Sequence, residues 1–331
     1  MPPVELTHAA DLLRTAHDVT LFPHLNPDAD ALGSALALGM ALRDRGATVR
    51  VAFAAPADIP ETLRSFDSDG LVVPPAEIPP APELIVALDT GSLTRLGHLA
   101  DRVPATIAAG GSVLVVDHHA SDNRFGTHHL IDPRAEATAV LVLRLLDELG
   151  VELDKRLASC VYAGLMMDTS QFRRATPSTH VLAARLLTAG ADPEALSRQL
   201  VDSHPFAWFR MLATVLARAR LEPEAAAGRG IVHTVIYLSD MDGTRLEEVE
   251  SVIDILRTTI EAEVAIVVKE IAPNRWSGSL RSATTIDVSA AAAHLAGGGH
   301  RRAAGFTTTG TPDAILSTLR TALATPTLIE L

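Results

Sequence analysis

Three short apolar runs in the first 120 residues each deliver an ionisable side chain at their carboxyl end. Val19 to Phe22 leads through Pro23 to His24, Leu84 to Leu88 leads to Asp89, and Val113 to Val116 leads to Asp117. Together with a fourth run, Thr48 to Ala54, they alternate with segments of helical period, the pattern of a parallel sheet covered by helices. In open sheets of this kind the functional crevice lies outside the carboxyl ends of the strands, so the three side chains are expected to converge there. A carboxylate at the end of an all-apolar strand costs free energy unless it is paired, solvated or bound to metal, which singles out Asp89.

Other groups of the same kind stand beside these strand ends. His24-Leu-Asn-Pro-Asp28-Ala-Asp30-Ala-Leu-Gly33-Ser34 places one imidazole and two carboxylates on a loop that Pro27 keeps out of the following helix, Ala29 to Arg43. The simplest alternative is that Asp28 or Asp30 caps that helix. Asp117-His118-His119 puts an acid and two imidazoles together; consecutive side chains diverge, so one imidazole can bind metal while the other faces a ligand, with Asp117 orienting the metal-bound ring. Asp168 follows an apolar helical pattern in Gly164-Leu-Met-Met-Asp-Thr-Ser170. His24 and one imidazole of the His118-His119 pair, with Asp28, Asp30, Asp89 and Asp168, make a donor set that favours manganese, iron or zinc over an all-oxygen magnesium cage. Two such cations can neutralise a phosphodiester and activate water.

At 331 residues the chain exceeds a comfortable single core, and 47% hydrophobic with 21% charged residues excludes disorder. Residues 136 to 189 read as helices, Asp192-Pro193 opens another, and Glu222 to Gly230 is a loop. After it Ile231 to Leu238, Val264 to Ile271 and a turn at Pro273-Asn274 begin a second α/β domain. The division is therefore a first domain over 1–190, a helical linker over 191–227 and a second, smaller α/β domain over 228–331, with a cleft expected between the two domains. The longest nearly apolar run, Ala31 to Leu42, falls short of the roughly 20 residues of a spanning helix. No secretory signal pattern opens the chain, so a cytoplasmic location and no membrane partner are expected. Cys160, the one cysteine, sits among Leu157, Val161 and Leu165 and reads as a buried small side chain. A net charge of −12 opposes loose binding along a long polyphosphate while leaving small anions open to local cations.

The ordered set His24-x-Asn-Pro-Asp28-x-Asp30, Asp89, Asp117-His118-His119 and Asp168 resembles the four motifs of the DHH phosphoesterase family. Leu280-Arg281-Ser282, Asp287-Val288-Ser289 and Gly297-Gly-Gly-His300-Arg-Arg-Ala-Ala-Gly305-Phe306 resemble its DHH-associated C-terminal domain. The resemblance covers nearly the whole chain. Ser121-x-x-Arg124-Phe125-Gly126 and Asp132-Pro133 look most like the bacterial oligoribonuclease and 3′-phosphoadenosine-5′-phosphate (pAp) phosphatase group. It implies one manganese ion held by His24, Asp28 and Asp89, and a second held by Asp30, Asp89, His118 and Asp168. Asp117 and His119 become the catalytic pair, His119 meeting the scissile phosphate or the leaving oxygen. Arg281, Ser282, Gly298, Gly299 and His300, with Arg124, become substrate contacts. Short oligoribonucleotides, pAp and the linear dinucleotide pApA are the implied substrates, no long nucleic acid is bound, and a homodimer is the implied assembly.

Two positions depart from the family pattern: Asp122 stands where relatives more often carry Asn, and Ala296 precedes three glycines where four are common. Cyclic di-AMP hydrolysis is the alternative activity, and a nucleotide-binding regulator without catalysis is the alternative from another class. The glycine-rich 297–305 stretch argues against the second domain of a family II inorganic pyrophosphatase.

Overall fold

A computed structural model describes residues 3–119 and 123–329; Ser121 and Asp122 of the sequence reading lie outside the described residues. The chain divides into two compact units between Asp202 and Ser203. In the first, β1 (Asp18–Pro23), β2 (Thr48–Val51), β3 (Leu84–Leu88), β4 (Ser112–Asp117) and β5 (His128–Ile131) form a parallel sheet in the order β2-β1-β3-β4-β5. The connections diverge between β1 and β3, where a doubly wound sheet opens its crevice. Register aligns Pro23 with Leu88 and Leu88 with Val116. His24, Asp89 and Asp117, each the next residue along, therefore form a row across three strand ends spaced about 4.8 Å apart.

Helices cover both faces, which is why β3 is apolar and buried throughout. On one face lie α1 (Pro3–Thr15) and α2 (Ala29–Asp44), and on the other α3 (Arg102–Ala108) with the 3-10 segment Leu93–Asp101. The α1–α2 layer continues with α4 (Thr138–Glu148), α5 (Lys155–Asp168), α6 (Pro177–Thr188) and α7 (Pro193–Leu200). The glycines of α2 and α5 allow these helices to touch. A Cβ on Gly33 would lie 2.7 Å from the Cys160 carbonyl oxygen, and one on Gly164 would lie 2.6 Å from Asp30 Oδ1. Cys160 is buried there as expected, and burial pushes its thiol up to about 12.

The second unit holds β6 (Arg220–Glu222), β7 (Ile231–Ile236), β8 (Val264–Ala272), β9 (Arg275–Ser282), β10 (Gly298–His300) and β11 (Ala303–Thr309). Their order is β10-β11-β9-β8-β7-β6, with β7 and β8 parallel and the other pairs antiparallel. Its helices are α8 (Phe206–Ala217), the one-turn α9 (Ala225–Gly228), α10 (Leu246–Leu256), α11 (Val288–Ala293) and α12 (Pro312–Ala324). Helices α11 and α12 bury one face against Ile266, Leu280 and Phe306, and α8 and α10 bury the other against Val232, Ala265 and Val267. The stretch 191–227, expected as a linker, is shared out between the units. Ala191 and Leu196 belong to the first core, Trp208, Met211 and Val215 to the second, because each helix has an apolar face that needs a sheet or helix layer to cover it. Among the described residues no helix is long and apolar enough to cross a membrane.

Candidate metal centre

The loop leaving β1 turns at Asn26, whose φ is 51°, and enters α2 at Asp28. Asp28 does both things the sequence allowed. Its Oδ1 caps α2, accepting the amides of Asp30 and Ala31 at 3.0 Å each, while its Oδ2 lies 3.7 Å from His24 Nε2. His24 Nδ1 sits 2.8 Å from the Leu25 carbonyl oxygen, which fixes the ring. Its Nε2 is buried, makes no hydrogen bond, and lies 3.5 Å from Asp89 Oδ2.

Asp30, one turn on and fully buried, caps a different helix. Its Oδ2 accepts the Thr138 amide at 2.7 Å and its Oδ1 the Ala139 amide at 2.8 Å, so the start of α4 is built on Asp30. Asp89 has a φ of 56°, a left-handed conformation that Asp tolerates better than most residues and that turns the chain sharply out of β3. Its Oδ1 accepts the Thr138 hydroxyl at 2.9 Å and lies 3.5 Å from His118 Nε2. The two Asp89 oxygens therefore face two different groups: His24 with Asp28, and His118 with Asp30.

At the end of β4 the roles of the neighbours differ from expectation in one respect. Asp117 orients His119: its Oδ1 accepts the His119 amide at 3.1 Å and lies 2.7 Å from His119 Nδ1. The reason is local, since a carboxylate at a strand end folds back most readily onto the backbone two residues ahead. His118 Nδ1 instead lies 3.2 Å from the Ala135 carbonyl oxygen, and its Nε2 is 3.1 Å from Asp168 Oδ2 at the end of α5. Thr138 carried no motif and was not singled out. A signal existed: α4 follows Ala137, which has no side-chain acceptor, so its first amides need an acceptor from elsewhere.

The electrostatics are set by burial and by the close approach of imidazoles and carboxylates. Burial opposes a charge on His24, but Asp28 and Asp89 outweigh it and push the imidazole up to about 9. Burial likewise opposes a charge on His118, and Asp168, Asp89 and Asp30 push it up to about 10. Burial would raise Asp89, yet His24, His119 and His118 hold its carboxyl far below the usual range. Asp30 moves the opposite way, pushed well above that range by burial and by the charges of Asp89 and Asp168. The separations of 3.5 to 3.7 Å between His24, Asp89 and Asp28 are too long for hydrogen bonds. They suit atoms sharing one ion, because bonds of about 2.1 Å at roughly right angles or wider put ligand atoms about 3.0–3.6 Å apart. With the orphaned His24 Nε2, the donor set fits divalent metal.

In the second unit two of the substrate candidates, Arg281 and His300, share one row of the sheet. Arg281 pairs in register with Ala303, and Ala303 with His300, so Arg281 and His300 stand in one row across β9, β11 and β10, about 9.5 Å apart at the backbone. Ala303 between them is small. Helices α8 and α10 cover β7 and β8 and leave this part of the face half-buried or exposed. Gly299 has a φ of 137°, and a Cβ there would lie 2.6 Å from the Ala303 carbonyl oxygen; Gly298 is exposed. Ser282 is committed elsewhere, donating its hydroxyl to Glu263 at 3.1 Å. Arg124, in the first unit, is exposed with a φ of 50°, on the loop that Asn123 ties to Gly91 by a 2.8 Å amide bond.

The DHH family N-terminal domain matches residues 18–165, and the DHHA1 domain matches residues 229–325. The bifunctional oligoribonuclease and PAP phosphatase NrnA of Thermus thermophilus is 32% identical over 289 residues, 87% of this chain and 83% of that protein. A probable manganese-dependent inorganic pyrophosphatase of Streptococcus mutans is 32% identical over 170 residues, 49% of this chain and 51% of that one. An exopolyphosphatase-related protein from Bacteroides fragilis has the same fold, with a TM-score of 0.85 at 22% identity over 97% of this chain and 95% of that one. With both domains matched in order and a 32% identical relative covered over most of its length, the chain belongs to the DHH family and is a hydrolase.

Proposed function

We propose that this chain is a manganese-dependent phosphoesterase that hydrolyses short oligoribonucleotides and removes the 3′-phosphate of pAp to give AMP. The observation that carries the reading is Asp89, whose two oxygens face two separate groups of imidazole and carboxylate donors. The name of the Thermus thermophilus relative supports the substrate class, and that of the Streptococcus mutans relative supports the metal.

Two divalent cations, when bound, would neutralise the phosphate and supply an activated water. His24, Asp28 and Asp89 would hold one, and Asp30, Asp89, His118 and Asp168 the other. His119 is held at Nδ1 by Asp117, which fixes the orientation of the ring that would give a proton to the leaving oxygen. Arg281 offers a planar fork to a substrate phosphate, with His300 as the second donor in its row.

The test is manganese-dependent turnover of pAp, pApA, cyclic di-AMP and a 24-nucleotide RNA in parallel, with His118→Ala as control. Turnover of pAp and pApA, abolished by EDTA and by the variant, is the expected result. Preferential degradation of the long RNA, or turnover of cyclic di-AMP alone, would overturn the substrate assignment. No turnover of any substrate would return the chain to the regulator reading.

A further inference from the structure

Thr138, the first residue of α4, touches Asp30 and Asp89 and is fully buried. Its hydroxyl donates to Asp89 Oδ1 at 2.9 Å, and its amide donates to Asp30 Oδ2 at 2.7 Å. Asp89 Oδ1 is the oxygen that faces His118, whereas Oδ2 faces His24. A carboxylate rotates easily about its last bond, so a donor on one oxygen decides where that oxygen points. Thr is suited to this because its branched Cβ restricts the hydroxyl to few positions. Ala137 contributes no cap, so the amides of Thr138 and Ala139 depend on Asp30. The helix cannot begin elsewhere without releasing that carboxylate.

We infer that Thr138 is a positioning residue that sets the Asp30–Asp89–His118 metal subsite, and that it does so selectively, leaving the His24–Asp28 subsite to other supports. The inference rests on reading the cluster as a metal centre. It goes further by assigning one buried hydroxyl to one of two subsites. The His24 side has its own fixtures, the Leu25 carbonyl oxygen on the ring and the α2 amides on Asp28.

The test is manganese binding to the full chain, followed by titration calorimetry and by the electron paramagnetic resonance signal of free ion, for wild type, Thr138→Val, Thr138→Ala and Thr138→Ser. Wild type should bind two ions. Val and Ala should each weaken one site about 10- to 100-fold, the usual effect of losing a hydrogen bond to a ligand, and leave the other within about 2-fold. Ser, which keeps the hydroxyl, should restore the weak site. In a His24→Ala background the remaining site should be the one that Thr138→Val removes. Wild-type affinity at both sites in Val and Ala, or equal weakening of both sites that Ser does not rescue, would overturn the inference alone. A wild-type chain that binds no manganese would overturn the metal-centre reading and this inference with it.

Discussion

Asp117 keeps one oxygen on the amide and ring of His119 and leaves the other, Oδ2, buried without a hydrogen bond. In the proposed reaction such an acid acts through its neighbour, holding the His119 ring in place and fixing its tautomer. Asp117→Asn should therefore lower kcat for pAp about 100-fold, the lower end of what general acid catalysis contributes, with KM and manganese stoichiometry unchanged. Loss of an ion in that variant would make Asp117 a ligand instead. The same residues set a pH dependence. His24 and His118 have folded-state values raised to about 9 and about 10 above an ordinary 6.5. Their contribution to the stability of metal-free protein is complete below pH 6.5 and is lost as pH rises through 9 to 10. Manganese competes with those protons, so its affinity should rise over the same window, with proton release on binding. Melting temperature of EDTA-treated protein and calorimetry in buffers of different ionisation enthalpy check both signs. At this scale the residue types were legible from sequence and their partners were not. Asp28 read equally as cap or ligand because one carboxylate has two oxygens and uses each differently. Asp30 read as a ligand candidate or a cap for α2, and its carboxylate caps α4 from across the core.

Among elements, the site depends on how closely α2, α4 and α5 approach one another. Gly164 sits where a Cβ would be 2.6 Å from Asp30 Oδ1 and 2.8 Å from the Ala139 Cβ, so α5 touches both the ligand and the helix it caps. Gly164→Ala gains helix propensity but overpacks the junction, and the second effect is larger: a net loss of about 1–3 kcal/mol is expected. Manganese affinity should fall as well, because the clash falls on Asp30 itself. Chemical denaturation with a parallel manganese titration would show it; a stable variant with wild-type affinity would mean that α5 can shift without moving the ligand. The strands carrying His24, Asp89 and Asp117 were legible because their apolar runs are long and fully buried. Strand β5 was not, since His128-His-Leu-Ile is short, half-exposed and begins with two histidines. The break between α7 and α8 falls at Ser203-His-Pro205, where the proline cannot continue α7.

Across the whole molecule, every candidate ligand from His24 to Asp168 lies in the first unit, which has its own core, while the second unit has two cores on either face of its sheet. Each core was foreseeable from the restart of strand patterning near residue 228. The boundary was not, because α7 and α8 differ in which core they join and not in composition. This arrangement makes a prediction about linkage. An ion that binds only native protein stabilises it by about 2.7 kcal/mol at one hundred times its dissociation constant. For a unit near 200 residues, that is a rise of roughly 5–10 °C in melting temperature. The rise belongs to the first unit alone. Manganese should slow hydrogen exchange at the amides of β3, β4, α2 and α4, with the amides of β8, β9 and β11 unchanged, and EDTA should reverse the effect. Protection spread equally over both units would mean that the ions also engage residues of the second, and the ligand set confined to the strand ends of the first would then be incomplete.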